Sequence, residues 1–132
     1  MMYKPLTIKE ISELRYENDE DLLFGQFLDD FRYEESDMYA LIKDEPLNEK
    51  ESELFSCILA ATAHKLANDN DLPVPEWVFK RKYVYVREFY PCIDDDDDGD
   101  DIKDFRQHLK ATSPYEFAQR NLFFGNNVLS RV

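Results

Sequence analysis

The sequence predicts an all-α protein, a single-domain bundle of about five to six helices that spans residues 1–132. Three observations support this prediction. The length of 132 residues fits one domain. Only three glycines are present, which disfavours turn-rich β-sandwiches. Apolar residues recur at helical spacing along the chain, whereas strong β propensity is confined to Tyr83–Val86.

The N-terminal part begins with two amphipathic helices and a short third one. Thr7 and Glu10 have the spacing of a capping box, so the first helix starts there. The second helix starts near Asn18 or Asp19 and carries a core-facing stripe. That stripe consists of Phe24, Phe27, Leu28 and Phe31. The third helix follows Ser36 and ends before Pro46, because proline disfavours helix at the residue that precedes it.

The strongest helix prediction covers residues 49–68, with Asn48 as the cap and Glu51 three positions later. Its core-facing residues cover more than half of the circumference. They are Leu54, Phe55, Ile58, Leu59, Ala61, Thr62 and Leu66. A helix with so wide an apolar arc is buried by neighbours on several sides. We therefore expect 49–68 to be the central helix of the bundle.

An extended region follows the central helix. Pro75–Val78 is typical of a short helical turn that begins with proline, and we expect Trp77 and Phe79 to fill the core. The aromatic and β-branched residues of 83–87 favour an extended backbone. Because no second strand of similar quality exists, we expect this segment to lie across the bundle.

Two further helices are expected in the C-terminal part. A helical pattern of apolar residues begins at Ile102. Ser113–Glu116 then combines a cap, a proline at the first helical position and an acid, which together start a last helix. This last helix is expected to end near Asn121.

The net charge of −13 limits the possible functions. Nucleic-acid binding needs a positive field, so we expect no nucleic-acid partner. The basic cluster Lys80–Lys82 is expected to offset acids of the protein itself. No segment approaches the ~20 apolar residues of a membrane span, and the opening residues lack the apolar core of a signal peptide. We therefore expect a cytoplasmic protein with no membrane partner.

The most unusual stretch is residues 94–101, which contain seven aspartates and one glycine. An EF-hand loop starting at Asp94 fits through Gly99 at position 6, but position 12 is Phe105, which cannot supply the bidentate carboxylate. The favoured interpretation is a solvated acidic loop. A weak cation site is the alternative, because a divalent cation relieves repulsion between clustered carboxylates. Its ligands would be Asp94, Asp96, Asp98 and Asp100.

Known catalytic patterns are missing from the sequence. It contains no CxxC or HExxH zinc motif, no glycine-rich phosphate loop and no nucleophile elbow. Cys57 and His64 lie two helical turns apart, roughly 10 Å by rise alone, which is too far for a nucleophile and its base. We expect no cofactor, no catalytic residue and structural roles for His64 and His108. An enzymatic function stays open.

Two stretches carry specific motifs. They are LFSCILAATAHKLANDNDLPVPEWVFKRKY over 54–83 and SPYEFAQRNLFFGNNVLSRV over 113–132. Both resemble a family of small uncharacterised bacterial proteins, in which a PEWV turn follows AHKLAND and the chain closes on SPxEFxxRNxFxxxNVLSRV. Family members are shorter and less acidic around 94–101. The resemblance implies no particular activity, but it implies neighbours of toxin–antitoxin or mobile-element type.

These observations favour a protein–protein interaction module that binds a basic protein partner, as antitoxins and immunity proteins do. Arg120, Asn121 and Arg131 are the candidate contact residues, because capping and core packing account for the other residues of the closing motif. Two alternatives stay open. One is a small-ligand-binding protein or enzyme with a pocket near Arg120 and Asn121. The other is a calcium-responsive protein that uses the acidic loop. The sequence does not predict the oligomeric state.

Overall fold

A computed structural model describes residues 6–14, 19–33, 38–46, 53–91, 93, 99–126 and 128–129. These residues form five α-helices, namely α1 (Ile8–Leu14), α2 (Glu20–Tyr33), α3 (Leu54–Asp69), α4 (Asp100–Thr112) and α5 (Tyr115–Ala118). Three 3₁₀ turns accompany them, at Met38–Leu41, Glu76–Phe79 and Arg81–Tyr83. No strand occurs among the described residues, and the all-α prediction is confirmed. Within the same ranges, no helix is long and apolar enough to cross a membrane.

Helix α1 has the predicted capping box. The Thr7 hydroxyl accepts a hydrogen bond from Glu10 N (3.1 Å), and the Glu10 carboxylate accepts one from Thr7 N (3.2 Å). This reciprocal pair satisfies two amide groups that the helix itself leaves without acceptors. Helices α1 and α2 then pack together. Their shared core contains Ile11 and the Phe27 and Phe31 rings, whose centroids are 6.1 Å apart.

Helix α3 occupies the predicted central position. It packs against α1, against α5 and against the turns Glu76–Phe79 and Arg81–Tyr83. Four alanines, Ala60, Ala61, Ala63 and Ala67, are fully buried on this helix. Helix separation depends on side-chain size at the contact, so these alanines allow close approach from several directions.

The predicted boundaries of the central helix, 49–68, are wrong at the N-terminal end. Glu53 has an extended backbone (φ −71°, ψ 131°) and precedes the first turn. The first helical hydrogen bond runs from Cys57 N to Glu53 O (2.9 Å). The proposed cap Asn48 and residues 49–52 lie outside the described residues. The helix begins with Leu54, its first apolar residue, because burial contributes more to helix stability than local propensity does.

The extended segment predicted at 83–87 begins one residue later, since Tyr83 belongs to a 3₁₀ turn and Val84 has φ −101° and ψ 123°. Three backbone hydrogen bonds join this segment and Phe89, two residues beyond it, to the chain that follows α5. They connect Tyr85 N with Arg120 O (3.1 Å), Phe89 N with Asn121 O (2.8 Å) and Phe123 N with Phe89 O (2.9 Å). The segment therefore pairs with a turn, which no β-propensity pattern could reveal.

Asp100 and Asp101 do not belong to the predicted acidic loop 94–101. Asp100 and Asp101 are the first residues of α4, and Gly99 precedes them with an extended backbone (φ −64°, ψ 158°). Acidic side chains are favourable there, because the exposed amide groups give a helix start a partial positive charge. The predictions for Asp94, Asp96 and Asp98 lie outside the described residues.

The last helix, α5, spans only Tyr115–Ala118 instead of continuing to Asn121. Asn121 has a left-handed backbone (φ 65°). Leu122 N donates to Phe117 O (3.0 Å), and Asn121 N donates to Ala118 O (3.0 Å). This pattern is a Schellman cap, in which asparagine is the common substitute for glycine. The cap reverses the chain directly after Arg120.

Candidate functional site

The chemically distinctive region lies where α5 and the turn Glu76–Phe79 meet α3. Here Arg120 is 2% exposed and His64 is 4% exposed. A guanidinium is almost never fully buried unless it is paired. We therefore treat these two residues and their neighbours as the candidate functional site.

Three internal acceptors surround the Arg120 guanidinium. Nη1 lies 2.6 Å from Glu116 O and 3.2 Å from His64 Nδ1, and Nη2 lies 2.8 Å from Val78 O. The acceptors belong to α5, to α3 and to the turn Glu76–Phe79, so one side chain joins three elements. Burial lowers the pKa of Arg120 to about 10, and the group still carries its charge at pH 7.

The neighbours of His64 select one tautomer. Its Nδ1 faces Arg120 Nη1 and, at 3.1 Å, Gln119 Nε2, and both of these groups are donors. Nδ1 is therefore the unprotonated acceptor, and the ring proton lies on Nε2. Burial, followed by the nearby Arg120 charge, lowers the pKa of His64 below its ordinary 6.5.

The Glu116 carboxylate lies at the α3 side of this network. It accepts a hydrogen bond from Asn68 Nδ2 (2.9 Å) and is buried. Burial alone would raise its pKa, but the hydrogen bonds from Asn68 and from its own backbone amide lower the pKa on balance. Glu116 therefore stays ionised and linked to α3 at neutral pH.

Protonation of His64 should destabilise the protein in mild acid. Because folding lowers the pKa of this ring, its contribution to stability is complete above pH 6.5 and is lost as the pH falls through the lower folded value. The Arg120 charge opposes protonation, and Glu116 favours it less strongly. The lowered pKa values of Glu45 and Glu116 change the free energy of unfolding only below about pH 4.5. We expect the free energy of unfolding in urea to decrease between pH 6.5 and about pH 5.

The matched variants for this pH prediction are His64→Asn and His108→Gln. His64→Asn removes the buried imidazole, so the slope between pH 6.5 and about pH 5 should disappear. His108→Gln changes an exposed ring on α4 and should keep the slope. Equal slopes in the wild type and in His64→Asn would contradict the proposed role of His64.

Two residues of the basic cluster Lys80–Lys82, Lys80 and Lys82, pair with an acid of the protein itself, as predicted. Lys80 Nζ lies 2.7 Å and Lys82 Nζ 3.4 Å from the Glu45 carboxylate oxygens. The Tyr83 hydroxyl donates to the same carboxylate at 2.6 Å. Burial raises the pKa of Glu45, but the Lys80 and Tyr83 hydrogen bonds and the lysine charges lower it on balance.

A shallow depression of about 130 Å³ lies over Arg120. Its lining residues are Val78, Phe79, Lys80, Val84, Gln119 and Arg120. Phe79 is 60% exposed, Val84 37% and Tyr115 64%. The Phe79 and Tyr115 ring centroids lie 5.1 Å and 5.9 Å from that of His64. We refer to Phe79, Val84 and Tyr115 as the apolar patch.

The exposure of Phe79 corrects the prediction that this ring fills the core. Residues three apart eclipse each other in a 3₁₀ helix. In the turn Glu76–Phe79, Phe79 therefore shares the exposed side of Glu76, whereas Trp77 and Val78 are buried. The sequence alone does not predict this exposure. The residues Glu76–Phe79 fit an α-helical turn as well as a 3₁₀ turn, and the geometry of the turn decides which side chains face solvent.

The structure brings two of the three predicted contact residues into this region. Arg120 lines the depression, and Asn121 Nδ2 donates to Tyr85 O (2.9 Å) beside it. Both side chains therefore have internal roles. Arg131 lies outside the described residues. Direct contact between these three residues and a partner stays a prediction.

The predicted cation site is only partly described. Asp100 is exposed at the start of α4, and its proposed fellow ligands fall in the undescribed stretch 94–98. In the described part of the chain, no group of three His, Cys, Asp or Glu side chains could hold a metal ion. The cation site stays a prediction.

Comparison with known proteins does not assign a family. No protein-family model, no curated protein and no solved structure matches the chain. The resemblance of 54–83 and 113–132 to a bacterial family therefore stays a prediction.

Proposed function

We propose that the protein is an interaction module that binds a basic protein partner through the apolar patch, in the manner of an antitoxin or immunity protein. The observation that supports this proposal is the exposure of Phe79 and Tyr115, whose rings both lie edge-on to the ring of the buried His64. Exposed aromatic side chains supply most of the binding energy in many protein interfaces.

The base of the patch is held in one arrangement. Arg120 connects α3, α5 and the turn Glu76–Phe79 through its three hydrogen bonds. A surface that is ordered before binding loses less conformational entropy on association. The buried network therefore favours recognition of a partner by the apolar patch, because it keeps the base of the patch ordered before binding.

The charge of the protein favours a basic partner. The net charge is −13, and Asp100, Asp101 and Asp104 are exposed on α4. Such a field accelerates association with a positively charged protein, and salt weakens the effect by screening. Charge thus selects the class of partner, and the apolar patch provides the local contact.

A small-ligand or enzymatic function has less support from this geometry. The depression of about 130 Å³ is smaller than the pockets of roughly 300–1,000 Å³ that enclose small molecules. Burial raises the pKa of Cys57 to about 11, so its thiol is not ionised at pH 7. Calcium responsiveness depends mainly on residues outside the described ranges.

Co-purification with the wild-type protein and with a Phe79→Ala/Tyr115→Ala variant tests the proposed function. We expect mass spectrometry to identify a basic protein that accompanies the wild type in low salt. The double variant should lose this protein, because truncation of two exposed rings removes contact area. High salt should also weaken the association.

Leu22→Ala is the matched control, since this side chain is 75% exposed on α2. The control should retain the partner. Recovery of the same protein with the double variant, or of an acidic protein, would contradict the proposal. Thermal unfolding of all three proteins checks that the double variant remains folded.

A further inference from the structure

We propose that His64 is a pH-sensitive switch of the apolar patch, whose neutral ring holds Gln119, Phe79 and Tyr115 in place and whose protonation releases them. The partner therefore binds at neutral pH and dissociates in mild acid. This inference rests on the proposed protein-binding function, because the apolar patch is its binding surface.

The neutral His64 ring accepts two hydrogen bonds through one atom. Gln119 Nε2 lies 3.1 Å and Arg120 Nη1 lies 3.2 Å from its Nδ1. Protonation places a proton on Nδ1, and both nitrogens of a charged imidazole are donors. Two favourable contacts then become contacts between donors, so the arrangement around Nδ1 must change.

The Gln119 side chain is the part of this arrangement that can move. Arg120 is buried and remains bound to Glu116 O (2.6 Å) and Val78 O (2.8 Å). Gln119 is exposed and lines the depression. Among the described residues, His64 is the one hydrogen-bond partner of its side chain. Release of Gln119 therefore changes the lining of the depression.

The His64 ring also supports two residues of the apolar patch. The rings of Phe79 and Tyr115 lie edge-on to it, with interplanar angles of 73° and 75°. His64 is buried, whereas both of these rings are exposed. Because the hydrogen bonds at Nδ1 fix the orientation of the His64 ring, their loss lets this ring turn and removes the support of both exposed rings.

Two charges of α5 act on His64. Burial, followed by the Arg120 charge, lowers the pKa of His64 below 6.5, and the Glu116 charge raises it less strongly. The ring is therefore neutral at pH 7, and it takes up a proton as the pH falls through the lowered value. A partner that covers the patch buries the ring further, which disfavours the charged form. Binding and protonation thus oppose each other.

The remaining neighbours of His64 contribute aromatic rings and charges that are exposed or paired. In the turn that ends at Phe79, this ring contacts His64, and Glu76 is exposed. On α3 itself, Lys65 Nζ pairs with the Asp69 carboxylate at 2.9 Å. The pH response is therefore set by burial and by the two charges of α5.

An NMR titration of the protein alone tests the switch. The His64 ring signals, the Gln119 side-chain amide signals and the ring signals of Phe79 and Tyr115 are followed from about pH 7.5 to about pH 5. We expect all of them to shift with one common midpoint below pH 6.5.

Two variants and an internal reference control this titration. His64→Asn keeps a side-chain acceptor but does not titrate, so the Gln119 and Phe79 signals should stay constant over this pH range. His108→Gln should retain the shifts, because that ring is exposed on α4. The Phe31 ring lies in the core shared by α1 and α2 and should keep its native signals.

Two titration results would overturn the proposal. The first is a set of Gln119, Phe79 and Tyr115 signals that stays constant down to about pH 5 in the wild type. The second is loss of the native Phe31 signals at the same midpoint, which would show unfolding of the whole domain instead of a local release.

Co-purification at two pH values tests the consequence for binding. The wild type should recover at least about threefold less of the basic protein at about pH 5.5 than at about pH 7.5. The non-titrating variants His64→Asn and His64→Gln should lose this pH dependence, and an equal decrease in them would refute the switch. Because the NMR titration uses no partner, the switch can fail there while co-purification at neutral pH still supports the proposed function.

Discussion

The Arg120→Ala variant should lose about 3–5 kcal/mol of the free energy of unfolding, as measured in urea. The substitution removes the donors that satisfy Val78 O and Glu116 O, and one of the two donors that face His64 Nδ1. Each buried acceptor left without a partner costs about 1–3 kcal/mol. The three elements that Arg120 joins would also lose their common connection.

Two variants accompany Arg120→Ala. Arg120→Lys keeps the charge, but a lysine ammonium cannot reproduce the planar fork, so we expect an intermediate loss. Arg81→Ala removes an exposed guanidinium and should change stability by less than about 0.5 kcal/mol. A loss of under about 1 kcal/mol for Arg120→Ala would show that the network does not connect these elements.

The Phe117→Ala variant should also be destabilised by about 3–5 kcal/mol, because it leaves a cavity between α3 and α5. Phe117 is fully buried and belongs to a cluster with Cys57, Ala61 and Leu122. A helix of four residues has little stability of its own. Loss of its anchor should therefore increase hydrogen exchange in α5, besides lowering the free energy of unfolding in urea.

Phe105→Ala is the matched control for this truncation. It removes the same ring from α4, where the side chain is 46% exposed. We expect a change within about 0.5 kcal/mol and unaltered hydrogen exchange in α5. Comparable losses in the two variants would contradict the anchoring role of Phe117.

Local signals were sufficient to predict most of the helical fold. The Thr7–Glu10 capping box depends on residues three apart, and it forms as predicted. The wide apolar arc of α3 must be covered on several sides, so its central position can be predicted without knowing which elements pack against it. The start of α3 at Leu54 differs from the start that the cap spacing around Asn48 predicts, because burial contributes more to helix stability than local capping signals do.

The candidate site could not be predicted, because its contacts are distant in sequence. His64 and Arg120 are 56 positions apart, and Val78 and Arg120 are 42 apart. Nothing local indicates that these residues meet. Asn121 did carry a usable signal, since an asparagine after a short helix is typical of a left-handed cap. This signal predicts an earlier end of α5 and a structural role for Asn121.

Calorimetric titration of the co-purified partner tests most directly whether the apolar patch is the binding surface. We expect Phe79→Ala to weaken the affinity by about tenfold or more, and Leu22→Ala to change it by less than about twofold. Raising the salt concentration should weaken binding to the wild type. Equal affinities of the wild type and Phe79→Ala for the partner would contradict the proposed function.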